Sequence, residues 1–402
     1  MSLSVSGKGR SVDNLIGDFF KQARRSGLWP EAQGVHRSAV TKARRKLPWQ
    51  LFEQLFYKAV RLAYQAWPDD PQYQWHGMSV FAIDGSKYAL PATAQIRDVF
   101  DSNSGLDSST QRHYPQCLVS TAFDVFRRLP VARTIVGIET GNEREEAKRL
   151  IEQIPPNQVL LFDRGYPSYE LIGYLNLHYS GYYVFRCAAS NTFPAVEAFL
   201  DSQQKEAVIS ISPSRKFLAR ATQEERQQCQ PLRLRAIRLV APDGTVSVLL
   251  SNLFQTQEIT GEEIIELYFK RWAVEEQYRD EKIVMGLEQF HARTPNGIQQ
   301  ELFSVLVMSV ITRTLMAMSS RYISGRAVAP QFKHAVLTLA SDAGVLAAND
   351  PDKALEVLSE ILTEIERVLY YRPKKPRSAS PRVSKKPPNK WREAKKQKIR
   401  AA

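Results

Sequence analysis

The chain has 402 residues, of which 43% are hydrophobic, and it carries a formal net charge of +13. This length is sufficient for roughly two or three domains with cores of their own, so the fold needs no disulfide or metal staple. Cys117, Cys187 and Cys229 are too widely spaced for a zinc motif and odd in number, which suits a reducing cytoplasm.

Residues 1–75 are predicted to form helices, because apolar residues recur at helical spacing in 12–25, 34–45 and 48–66. A basic cluster accompanies the second stretch and consists of Arg37, Lys42, Arg44, Arg45 and Lys46. A helix over 38–46 that enters a major groove would account for the cluster. A solvated helical face accounts for it equally well.

Two apolar strands each lead into an aspartate that is followed closely by a glycine. They are Met78-Ser-Val-Phe-Ala-Ile-Asp84-Gly85 and Gln158-Val-Leu-Leu-Phe-Asp163-Arg-Gly165. We expect each aspartate to lie where its strand stops, at the carboxyl edge of an α/β sheet, where such folds hold their sites. Taken singly, each aspartate is better explained as a turn or helix-capping residue.

The segments between and after these strands complete a mixed sheet. Residues 117–124 and 129–136 predict an antiparallel meander, 142–154 predict a helix, and 181–186 predict a fifth strand after Asp163. The predicted fold class is therefore α/β, with a mixed five-stranded sheet and helices.

Further strand patterns follow the fifth strand. They occur at 207–212, 231–240 and 245–251, and Pro242-Asp243-Gly244 predicts a hairpin turn between the last two. Residues 188–258 are therefore predicted to be an all-β insertion into the sheet domain.

Residues 268–282 are predicted to lie on one amphipathic helix. At 100° per residue, Tyr268, Arg271, Glu275 and Lys282 fall within about 60° of arc on its surface. The apolar face consists of Leu267, Val274, Tyr278 and Met285, and the solvent face of Glu262, Glu266, Lys270, Gln277 and Asp280. An ordinary solvated helix with an Arg271–Glu275 pair is the plain alternative.

Two strand-end aspartates and a helical glutamate are the parts needed to bind a pair of divalent cations. Mg²⁺ prefers oxygen ligands, and two such ions can hold the attacking and leaving oxygens of a phosphodiester displacement. The sequence therefore predicts Asp84, Asp163 and Glu275 as ligands of two Mg²⁺ ions, for which Mn²⁺ can substitute.

The chain resembles the DDE transposases of bacterial insertion sequences, specifically the insertion-sequence-four group. Their spacing Tyr-x2-Arg-x3-Glu-x6-Lys is matched without a gap by Tyr268, Arg271, Glu275 and Lys282. The contexts Asp84-Gly and Asp163-Arg-Gly-Tyr also match, and the resemblance runs in order through most of the chain.

The resemblance implies a ribonuclease H-like catalytic core in which Asp84, Asp163 and Glu275 hold the metal ions. It also implies that three residues bind the phosphates of the transposon end: Tyr268, Arg271 and Lys282. Related enzymes cut one strand, form a hairpin on the opposite strand, reopen it, and join the freed ends to target DNA. The implied partners are double-stranded DNA and a second copy of the chain, and the implied location is the bacterial cytoplasm at the nucleoid.

One departure from the family concerns aromatic residues in the insertion. The best understood relatives stack a tryptophan on a base flipped out of the DNA end, but no tryptophan lies between Trp75 and Trp272 here. Phe217 and Phe254 are the available alternatives, and both are expected to be core residues instead.

The carboxyl-terminal third begins with the most apolar run, residues 300–318. Glu301 bounds this run and Arg313 interrupts it, so it is predicted to be a buried helix rather than a membrane span. A later three-four alternation is formed by Leu355, Leu358, Leu362, Ile365 and Leu369. This alternation fits either pairing of two subunits or packing within the chain.

The positive charge is concentrated at the carboxyl end. Residues 372–402 contain thirteen Lys or Arg and one Glu, a net charge of +12, which leaves +1 for residues 1–371. The tail is rich in Pro, Ser and Lys, a composition typical of disordered segments. Contact with DNA phosphates is favoured over a purely solubilising role.

The predicted domain order has five parts. They are a helical region at 1–75, the catalytic domain at 76–187 and 259–345, the insertion at 188–258, and a helix with a basic tail at 346–402. Two alternatives to a transposase are a nuclease or resolvase on the same fold, which would not join ends, and a non-catalytic DNA-binding descendant. The second is disfavoured because all three carboxylates are present.

Overall fold

The computed structural model describes residues 12–25, 27, 29–67, 69–103, 114–190, 192–223, 226, 229–241, 244–320, 329–346 and 351–370. The predicted basic tail and the Pro242-Asp243 part of the predicted turn lie outside the described residues. Gly244 has φ +81°, a left-handed conformation that favours glycine.

One mixed sheet dominates the described part of the chain. Its eight strands have the order β3-β2-β1-β4-β5-β8-β7-β6. The strands are β1 (Val80–Ala89), β2 (Gln116–Asp124), β3 (Leu129–Gly137), β4 (Val159–Phe162), β5 (Tyr182–Ala188), β6 (Glu206–Ile211), β7 (Leu232–Val240) and β8 (Val246–Ser251), with a small separate pair, β9 (Ala329–Pro330) and β10 (Leu369–Tyr370). β4 runs parallel to β1 and β5, and the other neighbours are antiparallel. The five predicted strands of the mixed sheet and their meander are confirmed.

Helices surround this sheet. Within the described residues they are α1 (Val12–Arg25), α2 (Arg37–Lys46), α3 (Gln50–Ala66), α4 (Ala94–Phe100), α5 (Glu143–Ile151), α6 (Tyr169–His178), α7 (Pro194–Asp201), α8 (Arg215–Arg220), α9 (Gly261–Lys270), α10 (Ala273–Arg279), a π-helical segment (Asp280–Val284), α11 (Pro295–Ser320), α12 (Phe332–Leu346) and α13 (Pro351–Arg367). The predicted helices of the amino-terminal region are confirmed.

Both faces of the sheet are buried. Ala82 and Leu161 pack on the face covered by α9, α10 and α11, whereas Ile83 and Phe162 pack on the face covered by α5 and α6. Strands that are buried on both faces read as continuous apolar runs. This explains why β1 and β4 are apolar up to their aspartates.

The amino-terminal helices dock on α11. Phe56 and Val60 of α3 share a core with Phe303 of α11, and Trp49 stacks on Phe303 with ring centroids 5.7 Å apart. The segment Pro295–Ser319 is long and apolar enough to cross a membrane, but 83% of its most apolar window is buried inside the protein. The predicted buried helix is therefore confirmed.

The segment 188–258 is not all-β, contrary to the prediction. It contains α7 and α8, because Pro194 fits the first turn of α7 and the Ser214 hydroxyl caps α8 by accepting a hydrogen bond from the Phe217 backbone N–H at 3.1 Å. Its strands also extend the main sheet, since β8 pairs with β5 from Val184–Ser251 onward.

The alternation near the carboxyl end serves packing within the chain. Ile365 of α13 is buried in the core shared with α11 and α12, and Leu358 and Leu362 are partly buried against it. Leu355 is 65% exposed, and Leu369 lies in β10 rather than on the helix. Most of the apolar seam is therefore covered by the protein itself.

Candidate active site

Asp84 and Asp163 lie on neighbouring parallel strands at the same depth in the sheet. The ladder between β1 and β4 ends with Ile83 opposite Phe162, and each aspartate is the next residue of its chain segment. Because side chains alternate along a strand, both carboxylates belong to the face covered by α9 and α10.

β1 does not stop at Asp84. It continues to Ala89, and Asp84 lies opposite Thr121 of the antiparallel strand β2, which keeps β1 hydrogen-bonded after β4 has ended. The expected strand end is therefore wrong for Asp84 and confirmed for Asp163, which follows the last residue of β4. From Asp84 onward, however, β1 is no longer paired with β4.

The predicted single helix over 268–282 is interrupted. α9 and α10 are separated at Arg271 and Trp272, and the π-helical segment follows α10. Short π-helical segments next to α-helices occur frequently at functional sites. The regular spacing of 100° per residue therefore does not extend to Lys282, which lies in the π-helical segment.

The junction brings most of the predicted site residues together. The Tyr268 hydroxyl donates a hydrogen bond to Asp163 Oδ1 at 3.4 Å. Arg271 Nη2 donates to Glu275 Oε1 at 2.7 Å and lies 3.9 Å from Asp163 Oδ1. A single guanidinium therefore bridges the carboxylates of Glu275 and Asp163.

Arg271 has unused donors in this position. Its side chain is nearly inaccessible, yet Nε and Nη1 have no hydrogen-bond partner among the described residues. A buried donor without a partner costs about 1–3 kcal/mol. Guanidinium groups bind phosphate oxygens through pairs of such donors.

Asp84 lies in the electrostatic field of the other two carboxylates. Burial raises the pKa of Asp84 to about 7, Arg271 opposes the rise, and Glu275 and Asp163 add to it. Burial likewise raises the pKa of Tyr268 to about 12. The phenol therefore keeps its proton at neutral pH and can donate a hydrogen bond.

Lys282 is held beside β1 rather than beside Arg271. Its Nζ donates to Ser86 Oγ at 2.9 Å and to the Lys87 carbonyl oxygen at 2.7 Å, and it lies 4.3 Å from the centroid of the Tyr88 ring. Burial lowers the pKa of Lys282. The ammonium group thus lies beside the part of β1 that comes after Asp84.

The apolar face of the predicted helix is confirmed, but part of its solvent face is wrong. All four predicted core residues are buried, and the Tyr278 hydroxyl donates to the Asp84 carbonyl oxygen at 2.7 Å. Gln277 is fully buried and Asp280 nearly so. Both bind Arg313, whose Nη2 lies 2.8 Å from Asp280 Oδ2 and 3.1 Å from Gln277 Oε1.

Sequence reasoning missed a buried polar network around Glu281. Arg133 Nη2 donates to Glu281 Oε1 at 2.7 Å, Tyr88 Oη donates to Oε2 at 2.6 Å, and Gln277 Nε2 donates to Oε1 at 2.9 Å. The available signals were charged residues inside apolar patterns, at Arg133 in a strand and Arg313 in the most apolar run.

The donor chemistry of the site suits a hard divalent cation. Asp84, Asp163 and Glu275 offer carboxylate oxygens, which Mg²⁺ and Mn²⁺ prefer. No three Asp, Glu, His or Cys side chains within the described residues converge closely enough to ligate one ion. The chemistry of the three carboxylates fits such a cation, and Arg271 lies between two of them, Asp163 and Glu275.

Residues 75–311 match the family model described as Transposase DDE domain. The chain belongs to this family. The predicted resemblance to insertion-sequence transposases is thereby confirmed.

Curated relatives include two proteins of Escherichia coli (strain K12). This DDE-domain chain is 25% identical over 298 residues to the transposase InsG of insertion sequence element IS4, covering 72% of this chain and 63% of InsG. It is 28% identical over 142 residues to InsZ, covering 35% of this chain and 46% of InsZ. The chain thus spans less than two thirds of the length of either relative.

A solved structure also resembles this DDE-domain chain, although only distantly. It is the piggyBac transposase in a synaptic complex with hairpin DNA, with a TM-score of 0.41 and 12% identity, covering 75% of this chain and 59% of that chain. A likeness at this level supports no inference about the site.

The basic cluster of the DDE-domain chain lies on the exposed helix α2, which has no buried residue. Arg44 is the exception in the cluster, because its Nη2 lies 3.0 Å from Glu301 Oε1 and ties α2 to α11. The other cluster residues are exposed. They form a cationic face, which fits either a helix that enters a major groove or an ordinary solvated helical face.

The two candidate aromatic residues of the insertion differ. Phe217 is partly buried and packs on Tyr169, with ring centroids 5.4 Å apart. Phe254 is 43% exposed, so the expectation that it is a core residue is wrong. An aromatic face is therefore accessible in the insertion at Phe254.

Proposed function

We propose that the protein is a transposase that cuts an insertion sequence from donor DNA and joins its 3′ ends to target DNA. The observation that carries the proposal is the shared depth of Asp84 and Asp163 on neighbouring parallel strands, with Glu275 linked to Asp163 through Arg271. The order β3-β2-β1-β4-β5 supports a ribonuclease H-like catalytic core as the scaffold.

Asp84, Asp163 and Glu275 are proposed as the ligands of two divalent ions, Mg²⁺ or in its place Mn²⁺. A bound pair of such ions supplies activation of the attacking oxygen and stabilisation of the leaving oxygen. The rigid β1–β4 pair fixes two of the carboxylates, and α10 brings the third to the same face. The site can therefore hold a phosphodiester between strand and helix.

Arg271, Tyr268 and Lys282 are proposed to bind phosphates of the DNA end. Arg271 can turn from Glu275 to a phosphate, because its Nε and Nη1 are unpaired among the described residues. Tyr268 keeps its proton and can donate to a phosphate oxygen. Lys282 adds a positive charge farther along β1.

One set of carboxylates serves both hydrolysis and joining in this proposal. Water attacks a phosphodiester bond first and frees a 3′-hydroxyl on the transposon end. The 3′-hydroxyl then attacks the opposite strand, and the resulting hairpin is reopened by water. The same 3′-hydroxyl finally attacks target DNA, so each step exchanges one P–O bond for another.

The exposed cationic residues of α2 are proposed to contact the transposon end, and a homodimer is proposed to hold two ends together. Arg37, Lys42, Arg45 and Lys46 lie on a helix without buried residues. Such a helix can reach into a groove without loss of the core. The docking of α2 to α11 through Arg44 would keep it in a fixed place relative to the catalytic face.

The proposal is tested with a labelled duplex that carries the DNA flanking this gene. Nicked, hairpin and joined products are separated on a denaturing gel in the presence of Mg²⁺. We expect all three products with the unaltered chain and with Glu266→Gln, an exposed control on α9, and none with Glu275→Gln. Cleavage without joining would favour a nuclease, and equal products from Glu275→Gln would overturn the assignment of Glu275.

A further inference from the structure

A small cavity lies between α2 and the segment that leads into α11. Its volume is about 110 Å³. The polar side chains that line it from these two elements include Thr41, Arg44, Arg45, His291, Arg293 and Thr294. Three arginines line the cavity, and no acidic side chain of the described residues does. Because a concave surface of one charge sign attracts counter-ions, this α2–α11 cavity favours an anion.

The three arginines of the cavity differ in their partners. Arg44 is engaged within the protein, since its Nη2 lies 3.0 Å from Glu301 Oε1 and its Nε donates to Gln300 Oε1 at 3.3 Å. Arg45 and Arg293 are both exposed. Neither guanidinium has a hydrogen bond or ion pair with another residue in the described part of the chain. Their donors are therefore available to a ligand.

The two sides of the α2–α11 cavity are fastened to each other. Gln300 Nε2 donates to the Arg44 carbonyl oxygen at 3.0 Å and to the Leu47 carbonyl oxygen at 2.7 Å. Asn296 adds two bonds, because its Oδ1 accepts from the Trp49 backbone N–H at 2.9 Å and its Nδ2 donates to the Leu47 carbonyl oxygen at 2.9 Å. A ligand therefore meets a preformed cavity, which lowers the entropic cost of binding.

Strand β1 connects this cavity to the catalytic face. Thr93, shortly after the end of β1, donates its hydroxyl to the Arg293 carbonyl oxygen at 3.1 Å. From Asp84 to the end of β1 at Ala89 the strand rises roughly 17 Å. The connection to Thr93 extends the path, so the cavity lies roughly 20–30 Å from Asp84. This separation corresponds to about six to nine base pairs of DNA.

The positive charge continues outside the cavity. Lys42 and Lys46 are exposed on α2 next to Arg45, one helical turn apart. A single small anion in the cavity would leave these lysines without a partner, whereas the backbone of a duplex presents a row of phosphates to all of them. The charge distribution therefore favours a polyanion over a free phosphate ion.

We propose that the α2–α11 cavity binds one backbone phosphate of the transposon end, through Arg45 and Arg293, about six to nine base pairs from the bond that is cut. The inference rests on the proposed function. It adds Arg293, which lies outside α2, and it places the contact along the DNA. A phosphate contact of this kind fixes the register of the duplex without reading its sequence, so the cavity sets the distance between the bound end and Asp84.

The test measures binding of the full chain, without divalent cations, to labelled duplexes of the DNA that flanks this gene. In each duplex one phosphate is replaced by a neutral methylphosphonate, on either strand and out to about one helical turn from the end. We expect one neutral linkage, about six to nine base pairs from the end, to lower the affinity of the unaltered chain about tenfold. Arg293→Gln should bind the unmodified duplex about tenfold more weakly, and that same linkage should then have no further effect.

Two further variants complete this test. Arg45→Gln should behave as Arg293→Gln does, because both guanidinium groups line the same cavity. Arg61→Gln is the matched control, since Arg61 is an exposed arginine of α3 that does not line the cavity. It should bind every duplex as the unaltered chain does, and equal melting temperatures of all variants would show that the fold is retained.

The outcomes distinguish this inference from the proposed function. If Arg293→Gln responds to every neutral linkage as the unaltered chain does, the contact is overturned, while selective binding of the flanking DNA over an unrelated duplex leaves the proposed function standing. If the unaltered chain binds both duplexes equally, the proposed function fails and the inference fails with it. If inorganic phosphate raises the melting temperature of the unaltered chain but not of Arg293→Gln, and both bind DNA equally, the cavity takes a free anion and not DNA.

Discussion

Arg133 and Glu281 form an ion pair whose side chains are both fully buried, with Nη2 2.7 Å from Oε1. Arg133 belongs to β3 and Glu281 to the π-helical segment, so the pair connects the sheet to the residues that follow α10. Tyr88 and Gln277 donate to the same carboxylate. This connection determines where the neighbouring Lys282 reaches β1.

Breaking the pair on one side should be far more destabilising than replacing both partners. Glu281→Met leaves the Arg133 charge buried without its partner, which should cost about 3–5 kcal/mol of unfolding free energy. The double variant Arg133→Met, Glu281→Met should recover most of that loss. Equilibrium unfolding in urea measures both, and a double variant less stable than either single one would refute the coupling.

The same pair gives the protein an acid-sensitive component of stability. Burial alone would raise the pKa of Glu281, but Arg133 together with the hydrogen bonds from Tyr88 and Gln277 offsets this effect, so the pKa lies below the ordinary value of 4.5. A lowered pKa in the folded state stabilises the protein above pH 4.5, and this stabilisation is lost as the pH falls through the folded value.

Melting temperatures between pH 3 and 7 measure this component. We expect the unaltered chain and the exposed control Glu360→Gln to lose stability over the acid range, and Glu281→Gln to lose less because it has no proton to gain. An equal pH slope in Glu281→Gln would assign the acid sensitivity to other carboxylates.

Arg271→Lys tests whether the unpaired donors of Arg271 matter beyond its charge. Lysine keeps the positive charge but lacks the planar pair of donors that fits a phosphate. We expect affinity for the transposon end to fall about tenfold, as for the loss of one charged hydrogen bond. Arg279→Lys, an exposed position on α10, is the control, and equal affinities of the two variants would show that charge alone suffices.

Lys282→Met should remove one phosphate contact without disturbing the fold. The plot of binding constant against salt concentration should lose about one unit of slope. Lys58→Met, at an exposed position of α3, should leave the slope unchanged. If the Lys282→Met slope equals that of the unaltered chain, Lys282 does not contact a phosphate. Its role would then be limited to its hydrogen bonds with Ser86 and Lys87.

The sequence was sufficient to predict those features that depend on residues close together in the chain. The apolar run before Asp163 ends in a strand end as expected, and the spacing of Tyr268, Arg271 and Glu275 places them at one junction. The alternation of Leu267 and Val274 also gives the buried face correctly. These features depend on residues that lie close together in the chain.

Features that depend on a distant partner could not be read from the sequence. β1 continues past Asp84 because β2, more than thirty residues later, keeps it paired from Gly85–Ser120 to Ala89–Gln116. The π-helical segment is stabilised by Arg133 and Arg313, which come from other elements.

In the proposed mechanism, one set of carboxylates carries out both cleavage and joining. The most direct test supplies Asp84→Asn, Asp163→Asn and Glu275→Gln with two labelled substrates, an uncut transposon end and an end already cut to a free 3′-hydroxyl. We predict that each variant binds both ends as the unaltered chain does, and neither cuts the first nor joins the second to a supercoiled plasmid. Joining of the pre-cut end by a variant that cannot cut would contradict a single shared site.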